Sequence, residues 1–319
     1  MLPFFKYSGG KRREAPVVDK LKPEKFDTFY EPFLGGGAIW LHLEHSKNVV
    51  NDNYPDVMNF YNVLKNDTIK LISQVNALSA AYRQEISSVK KDASIEDQIA
   101  IIKQQLDTLP GDDISVPVHK KELRTLKKKL NEEVYKIADR YYYHYRDNEF
   151  TNDFDRAISF YLMRQLSFSG MLRFSSDGKF NIPYGWYKSF KGIEQPVDDI
   201  KKILNNSVLM CGSWQDSVAT ATKNDFVFLD PPYTRTFTDY HPAGQFGNKE
   251  HEELAHWFKT TEAQTMIILN RDEFTEGLYG DYIVDDYDYR YSIQYRDRMT
   301  EEDSNAKHFV AINNYEPTR

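Results

Sequence analysis

Apolar and polar positions follow two different rhythms along the chain. Phe26-Asp-Thr-Phe-Tyr30 alternates with a period of two and predicts a strand. After Glu31-Pro-Phe-Leu-Gly-Gly-Gly37, the run Ala38-Ile-Trp-Leu-His-Leu43 predicts a helix, and Val49-Val50 enters Asn51-Asp52-Asn53 as a second short strand ending in an acid. From about residue 57 to 148 the rhythm is helical. Ile95, Ile99, Ile102, Leu106 and Leu109 are spaced by four and three; Pro110-Gly-Asp-Asp interrupts them, and the spacing resumes at Leu123, Leu126, Leu130, Val134 and Ile137. This predicts a helical hairpin at about 94–137. Sheet-like segments return at 207–211, 226–229, 265–269, 282–284 and 309–312. The opening order of strand, loop, helix, strand and acid, with more strands after 207, predicts an open α/β sheet split by residues from roughly 60 to 192.

One strand ends unusually. Phe226-Val-Phe-Leu229 is a short buried run, and Asp230-Pro-Pro-Tyr233 follows it. Each proline removes a backbone donor and stiffens the residue before it, so Asp230 and the Pro231 carbonyl must leave the sheet in a fixed direction. Fixed acceptors at the carboxyl end of a strand point to a site.

The glycine loop at 35–37 is a second candidate. A dinucleotide fingerprint wants glycine three residues after Gly37, where this chain has Trp40. A nucleotide-triphosphate loop wants Ser or Thr after Gly10-Lys11, where it has Arg12. What remains is a tight turn that lets a ligand approach the backbone, with Glu31 before it and Asp52 at the end of the next strand. A carboxylate in the second place suits a ribose diol, and an acidic rim suits a cation better than a pyrophosphate. S-adenosylmethionine carries a ribose, an adenine and a sulfonium.

Composition narrows the class. With 40% hydrophobic and 14% aromatic residues the chain is not disordered, and no apolar run reaches the length of a membrane span. The start of the sequence lacks a signal-peptide pattern, and the single cysteine, Cys211, forms no internal disulfide; both lead to the expectation of a reducing cytoplasm. The net charge of −7 argues against coating nucleic acid by charge alone, yet it leaves room for a local basic face. Lys11-Arg12-Arg13 form one basic cluster, and Arg173, Lys179, Lys188 and Lys191 another; the lysine runs at 120–121 and 127–129 read as solvated surface.

The motifs combine in one order: Lys6-Tyr-Ser-Gly-Gly-Lys11, Glu31-Pro-Phe-Leu-Gly-Gly-Gly37, Asp52 and Asp230-Pro-Pro-Tyr233. This order resembles the Dam-type (D12 class) DNA adenine-N6 methyltransferases. The stretch Phe168-Ser-Gly-Met-Leu-Arg-Phe-Ser-Ser-Asp-Gly-Lys-Phe-Asn-Ile-Pro-Tyr-Gly185 resembles the hairpin with which that family reads DNA, and the likeness reaches the closing Asn313-Asn314-Tyr315 but leaves out about 80–135. The resemblance implies a Rossmann-like α/β sheet of the S-adenosylmethionine-dependent methyltransferase type, formed by 1–60 and 193–319. A mostly helical DNA-recognition domain carrying a β-hairpin, 61–192, would be inserted in it. It implies that Tyr7, Lys11, Glu31, Pro32, Phe33, Gly35, Gly37, Asp52 and Asp230 hold S-adenosylmethionine, with Asp216 near its adenine. Asp230, Pro231, Pro232 and Tyr233 would form the target-base pocket, and Phe168, Ser169, Arg173, Asn181 and Pro183 would contact DNA. Ser169 and Phe168 stand where the family often has asparagine and tyrosine, so the sequence read stays open; a short site containing G-A, such as GATC, is the family expectation.

The implied chemistry suits these residues. The exocyclic amine of adenine is a poor nucleophile because its lone pair is delocalised into the ring. If the Asp230 carboxylate and the Pro231 carbonyl accept its two hydrogens, they favour a pyramidal nitrogen and stabilise developing charge, with no metal required. Tyr233 would stack on the flipped base and Phe168 would wedge the vacated gap. Arg173 would bridge guanine O6 and N7. Cytosine-N4 methylation is the nearest enzymatic alternative, and a DNA-binding relative without activity is the non-enzymatic one. Cys211 lacks the proline-cysteine context of a cytosine-C5 enzyme, a zinc deaminase would need paired cysteines, and His42 and His45 lack a third metal ligand. Expected partners are double-stranded DNA and, in a restriction-modification pair, a cognate restriction endonuclease acting on the same site. The chain is expected to be a monomer or weak dimer that avoids membranes.

Overall fold

Alternate residues of the central strands enter two different cores, as period-two side-chain geometry requires when both faces of a sheet are covered. A computed structural model describes residues 1–7, 9–89, 92–110, 113–175, 178–233, 246–290 and 305–317. Its strands are β1 (Phe29–Glu31), β2 (Asn48–Asp52), β3 (Ser207–Cys211), β4 (Phe226–Leu229), β5 (Gln264–Asn270), β6 (Ile283–Arg290) and β7 (Asn305–Asn313). They form one seven-stranded sheet of order β3-β2-β1-β4-β5-β7-β6. The first five pair in parallel, and β7 runs antiparallel to both β5 and β6. This mixed α/β sheet is consistent with the fold of an S-adenosylmethionine-dependent methyltransferase.

On one face Phe29, Phe226, Phe228, Met266, Ile268 and Val310 join the larger core. The helices facing it include α1 (Ala15–Leu21), α2 (Ala38–Leu43), α3 (Pro55–Asn66) and α4 (Thr68–Ser88). On the other face Tyr30, Val227, Leu229, Ile267, Leu269 and Phe309 pack with Trp214, Leu254, Phe258 and Tyr279. The predicted strands are present with shifted ends. β1 starts at Phe29 rather than Phe26, where the Thr28 N–H is taken by the Asp225 carboxylate at 3.0 Å. β6 continues to Arg290, well past the two apolar residues that announce it, because pairing with β7 sustains a polar outer strand with Asp285, Asp286 and Asp288.

Between β2 and β3 the chain is helical. After α3 and α4 come α5 (Ala93–Thr108), α6 (Val116–Leu130), α7 (Glu132–Asp147), α8 (Asp153–Leu166) and α9 (Val197–Asn205). The predicted second arm of the helical hairpin, carrying Leu123 to Ile137, is two helices. Asn131 separates them, its N–H bonded to the Lys128 carbonyl and its side-chain amide to that of Lys127. The break matters for packing. Ile95, Ile99, Ile102 and Val116 are buried outside the main core, whereas Ala138 and Tyr142 of α7 belong to it. Val134, at the start of α7, is likewise buried outside the main core. After α8, residues 167–185 fold back on themselves through two isolated antiparallel bridges, Ser167 with Tyr184 and Phe174 with Phe180. Among the described residues no helix is long and apolar enough to cross a membrane.

Excising residues 93–130 and joining the ends with a flexible linker should leave a single cooperative thermal transition with a midpoint within about 2 °C of the parent, roughly 1 kcal/mol at this size. Loss of cooperativity would show that α5 and α6 support the sheet.

Candidate active site

The strand order reverses between β1 and β4, and open α/β sheets bind ligands at such a switch point, beyond the carboxyl ends of the strands. Three acids stand at those ends: Glu31 closes β1, Asp52 closes β2 and Asp230 follows β4. The Trp40 N–H donates to Glu31 Oε2 at 2.8 Å, which ties the end of β1 to the first turn of α2. Asp52 accepts the Gly35 N–H at 2.7 Å and the Tyr54 N–H at 2.8 Å, one on each carboxylate oxygen. Burial pushes Asp52 up to about 6 against the pull of these two donors. Glu31 is driven well above the usual carboxylate range by burial, with the charges of Asp230 and Asp52 adding to the rise.

The glycines of the intervening loop serve the protein's own packing. Gly35 and Gly37 have φ of 49° and 63°, in the left-handed region, and a Cβ at Gly35 would lie 2.9 Å from two ring carbons of Tyr7. A Cβ at Gly37 would lie 3.0 Å from both Trp40 and the Tyr61 hydroxyl. The close approach predicted for a ligand is made first by Tyr7. Pro32 and Phe33 complete the loop: the Asn51 amide donates to the Pro32 carbonyl at 3.0 Å, and Phe33 packs edge-on to Phe246.

Lys11, placed by sequence with the cofactor residues, is found at the Asp230-Pro-Pro-Tyr233 end of β4. Its Nζ is 2.8 Å from Asp230 Oδ1 and donates to the Tyr233 hydroxyl at 2.6 Å. Burial of Lys11 would lower its pKa, but Asp230, Tyr233 and Glu14 outweigh that and hold it well above the ordinary value. Asp230 is pushed up to about 6 by burial, Lys11 pulling it down and Glu14 adding to the rise. Pro231 is buried and Pro232 exposed. The Pro232 carbonyl accepts from Nε2 of His251, on α11 (Asn248–Thr260), at 2.9 Å. A carbonyl can only accept, so that nitrogen carries the imidazole proton, and burial lowers the His251 pKa.

The remaining predicted residues lie further out. Asp216 is exposed on the first turn of α10 (Trp214–Val218), with no bond to the acids among the described contacts. Phe168, Arg173 and Pro183 are exposed on the folded-back 167–185 segment. Asn181 orients the Arg173 guanidinium, accepting from Nε at 2.7 Å through its side chain and from Nη2 at 3.1 Å through its carbonyl. The Ser169 side chain, and Ser8, Ser176 and Asp177 of the quoted motifs, lie outside the described residues.

Sequence reading missed Glu14, His251, Tyr287, His308 and Arg164. Arg164 is fully buried and donates to the carbonyls of Lys6 (3.1 Å), Met171 (3.0 Å) and Gly170. It thereby joins the strip bearing Tyr7 to the 167–185 segment, and burial lowers its pKa to about 10. The only sequence signal for such a residue was an arginine on the apolar face of a helix.

An acid-rimmed switch point on a mixed α/β sheet, with an Asp-Pro-Pro-Tyr turn after the central strand, is a candidate group-transfer site. The family model for D12 class N6 adenine-specific DNA methyltransferases matches residues 7–94 and 99–300, and the chain belongs to this family. It is 28% identical over 316 residues to the Type II methyltransferase M.CviBI of Paramecium bursaria Chlorella virus NC1A, covering 99% of this chain and 100% of the relative. It is 27% identical to the Type II methyltransferase M1.LlaDCHI of Lactococcus lactis subsp. cremoris, over 88% of this chain and 85% of that one. With a DNA adenine methylase of Haemophilus influenzae it shares 26% identity over 87% and 82% of the two chains.

Removing the Lys11 ammonium takes away the charge that holds Asp230 down. In Lys11→Met the Asp230 carboxyl should titrate at higher pH than in the parent, as followed by carboxyl carbon NMR. A midpoint equal to or below the parent's would contradict the ion pair.

Proposed function

We propose that the protein methylates N6 of adenine in double-stranded DNA with S-adenosylmethionine as donor, acting on a base flipped out of the helix. The observation that carries this reading is the juxtaposition of Asp230, at the end of β4, with Glu31 and Asp52, at the ends of β1 and β2. Burial suppresses the ionisation of all three carboxyl groups; Lys11 already faces Asp230, and a sulfonium would supply a countercharge to Glu31 and Asp52, which have no cation partner among the described residues. S-adenosylmethionine supplies a methyl group made electrophilic by that positive charge. Tyr7, the 31–37 loop and Asp52 would hold it, with Asp216 toward its adenine.

The protein's part in the reaction is electrostatic and geometric. Asp230 and the Pro231 carbonyl accept the two amino hydrogens, and the Lys11 contact keeps Asp230 ionised near neutral pH. His251 pins the next carbonyl, so the turn cannot rotate away. Tyr233 is only 9% exposed, so stacking on the base requires its ring to be uncovered when DNA enters. Flipping costs a few kcal/mol, and aromatic stacking offsets about 1–3 kcal/mol of it. Residues 61–192 would form the DNA-recognition part. Phe168 is exposed and would serve as the wedge, and Arg173, held by Asn181, is exposed and would read guanine in a short G-A site such as GATC.

Long-read sequencing of DNA from cells expressing the chain should show N6-methyladenine at one short motif, reduced on the order of 10²- to 10³-fold in rate by Asp230→Ala. Methylation at cytosine would favour the N4 alternative, and none at all the inactive relative. In the same experiment Arg173→Ala should relax the preference for guanine, whereas equal loss at every sequence would assign Arg173 to the backbone.

A cationic ligand and suppressed acids are linked through protons. Because Asp52 and Asp230 titrate near 6 in the free protein, a cation bound beside them lowers their pKa and releases protons. Affinity for S-adenosylmethionine relative to uncharged-sulfur S-adenosylhomocysteine should therefore rise as pH climbs from about 5 to 7 and then level off. Isothermal titration at several pH values checks this, and a flat ratio would remove the sulfonium from among the acids.

A further inference from the structure

Lys11 is gripped from two sides. On one side are Asp230 and Tyr233; on the other Glu14 Oε2 lies 3.6 Å from the ammonium. Glu14 is 1% exposed, and its other oxygen is fully engaged, accepting from Nδ1 of His308 on β7 at 2.8 Å and from the Tyr287 hydroxyl on β6. Oε2 is buried and has no hydrogen-bond partner among the described residues. A buried carboxylate oxygen left without a donor is costly, and the cation facing it is Lys11. The His308 ring also meets the Tyr233 ring edge-on, with centroids 5.4 Å apart, so one imidazole touches both the acid behind Lys11 and the aromatic in front of it.

The two anions make different demands on one ammonium. In this structure Lys11 donates toward Asp230, the oxygen that the target amine needs. A shift of Nζ by less than about 1 Å would bring it within hydrogen-bond distance of Glu14 Oε2. We propose that Glu14 is a positioning residue for methyl transfer: through Lys11 it sets the orientation of Asp230, and its open oxygen takes up the ammonium when Asp230 accepts the target amine. This rests on the role proposed for Asp230. Tyr287 and His308 hold Glu14 rigid, since β6 and β7 are paired to each other and β7 to β5.

The test compares single-turnover methylation of unmethylated plasmid DNA, using labelled S-adenosylmethionine, in the parent, Glu14→Gln, Lys11→Met and the double variant, with S-adenosylmethionine affinity measured by calorimetry. Glu14→Gln should slow methyl transfer about 10- to 100-fold while affinity changes less than about threefold. In the Lys11→Met background the same substitution should change the rate by less than about threefold, because its effect passes through Lys11. Full additivity of the two losses, or equal losses of rate and affinity, would overturn the proposal. If Glu14→Gln does not fold, Glu14→Asp serves in its place: it keeps the charge and withdraws it by one methylene, and a parental rate would count against the idea. Asp230→Ala is run alongside. Parental activity in that variant removes the reading of Asp230 itself, whereas a dead Asp230→Ala beside fully active Glu14 variants removes only the role of Glu14.

Discussion

The structure turns on one buried ion pair, Lys11 with Asp230. Asp230 follows a strand whose four residues are all buried, and Lys11 comes from the other end of the chain with 5% of its side chain exposed. Taking two charges out of water costs more than their attraction returns unless hydrogen bonds complete the site. Tyr233, Gly9, Glu14, His308 and Tyr287 provide that completion. The pair also forces an architecture. Residues 1–14 must cross the carboxyl ends of the strands, and the β6–β7 pair must extend far enough to bring Tyr287 and His308 up to Glu14.

The acids across the switch point obey the same logic with the opposite outcome. Among the described residues no cation pairs with the buried Glu31 and Asp52, which accept backbone N–H groups instead; this fixes the loop between β1 and α2 and leaves their ionisation suppressed by burial. Membership of the D12 class makes the chain a DNA adenine methyltransferase, and the roles proposed for Asp230 and the Pro231 carbonyl rest on that membership.

Arg164 links this site to the exposed 167–185 segment. A fully buried guanidinium that donates to the carbonyls of Lys6, Gly170 and Met171 makes the strip carrying Tyr7 and the fold carrying Arg173 parts of one rigid connection. Tyr7 in turn packs against Gly35 and Gly36, so the connection reaches the loop between β1 and α2. The α5–α6 pair stands outside both cores.

The sequence by itself determined whatever is encoded between near neighbours. Short apolar runs marked β2, β4 and β5, prolines after Leu229 marked a fixed turn, and the glycines of 35–37 marked a loop of close backbone approach. Those features depend on local sterics and side-chain periodicity, which need no distant partner. It did not reveal the break at Asn131 between α6 and α7, since such a side chain interrupts a helix without disturbing apolar spacing. Only the tertiary structure decided that Lys11 meets Tyr233, 222 residues away, and that Glu14 meets His308, 294 residues away. The physical reason is that a charged residue's partner is chosen by where the sheet brings its strand ends together, and strand order leaves no trace in local pattern.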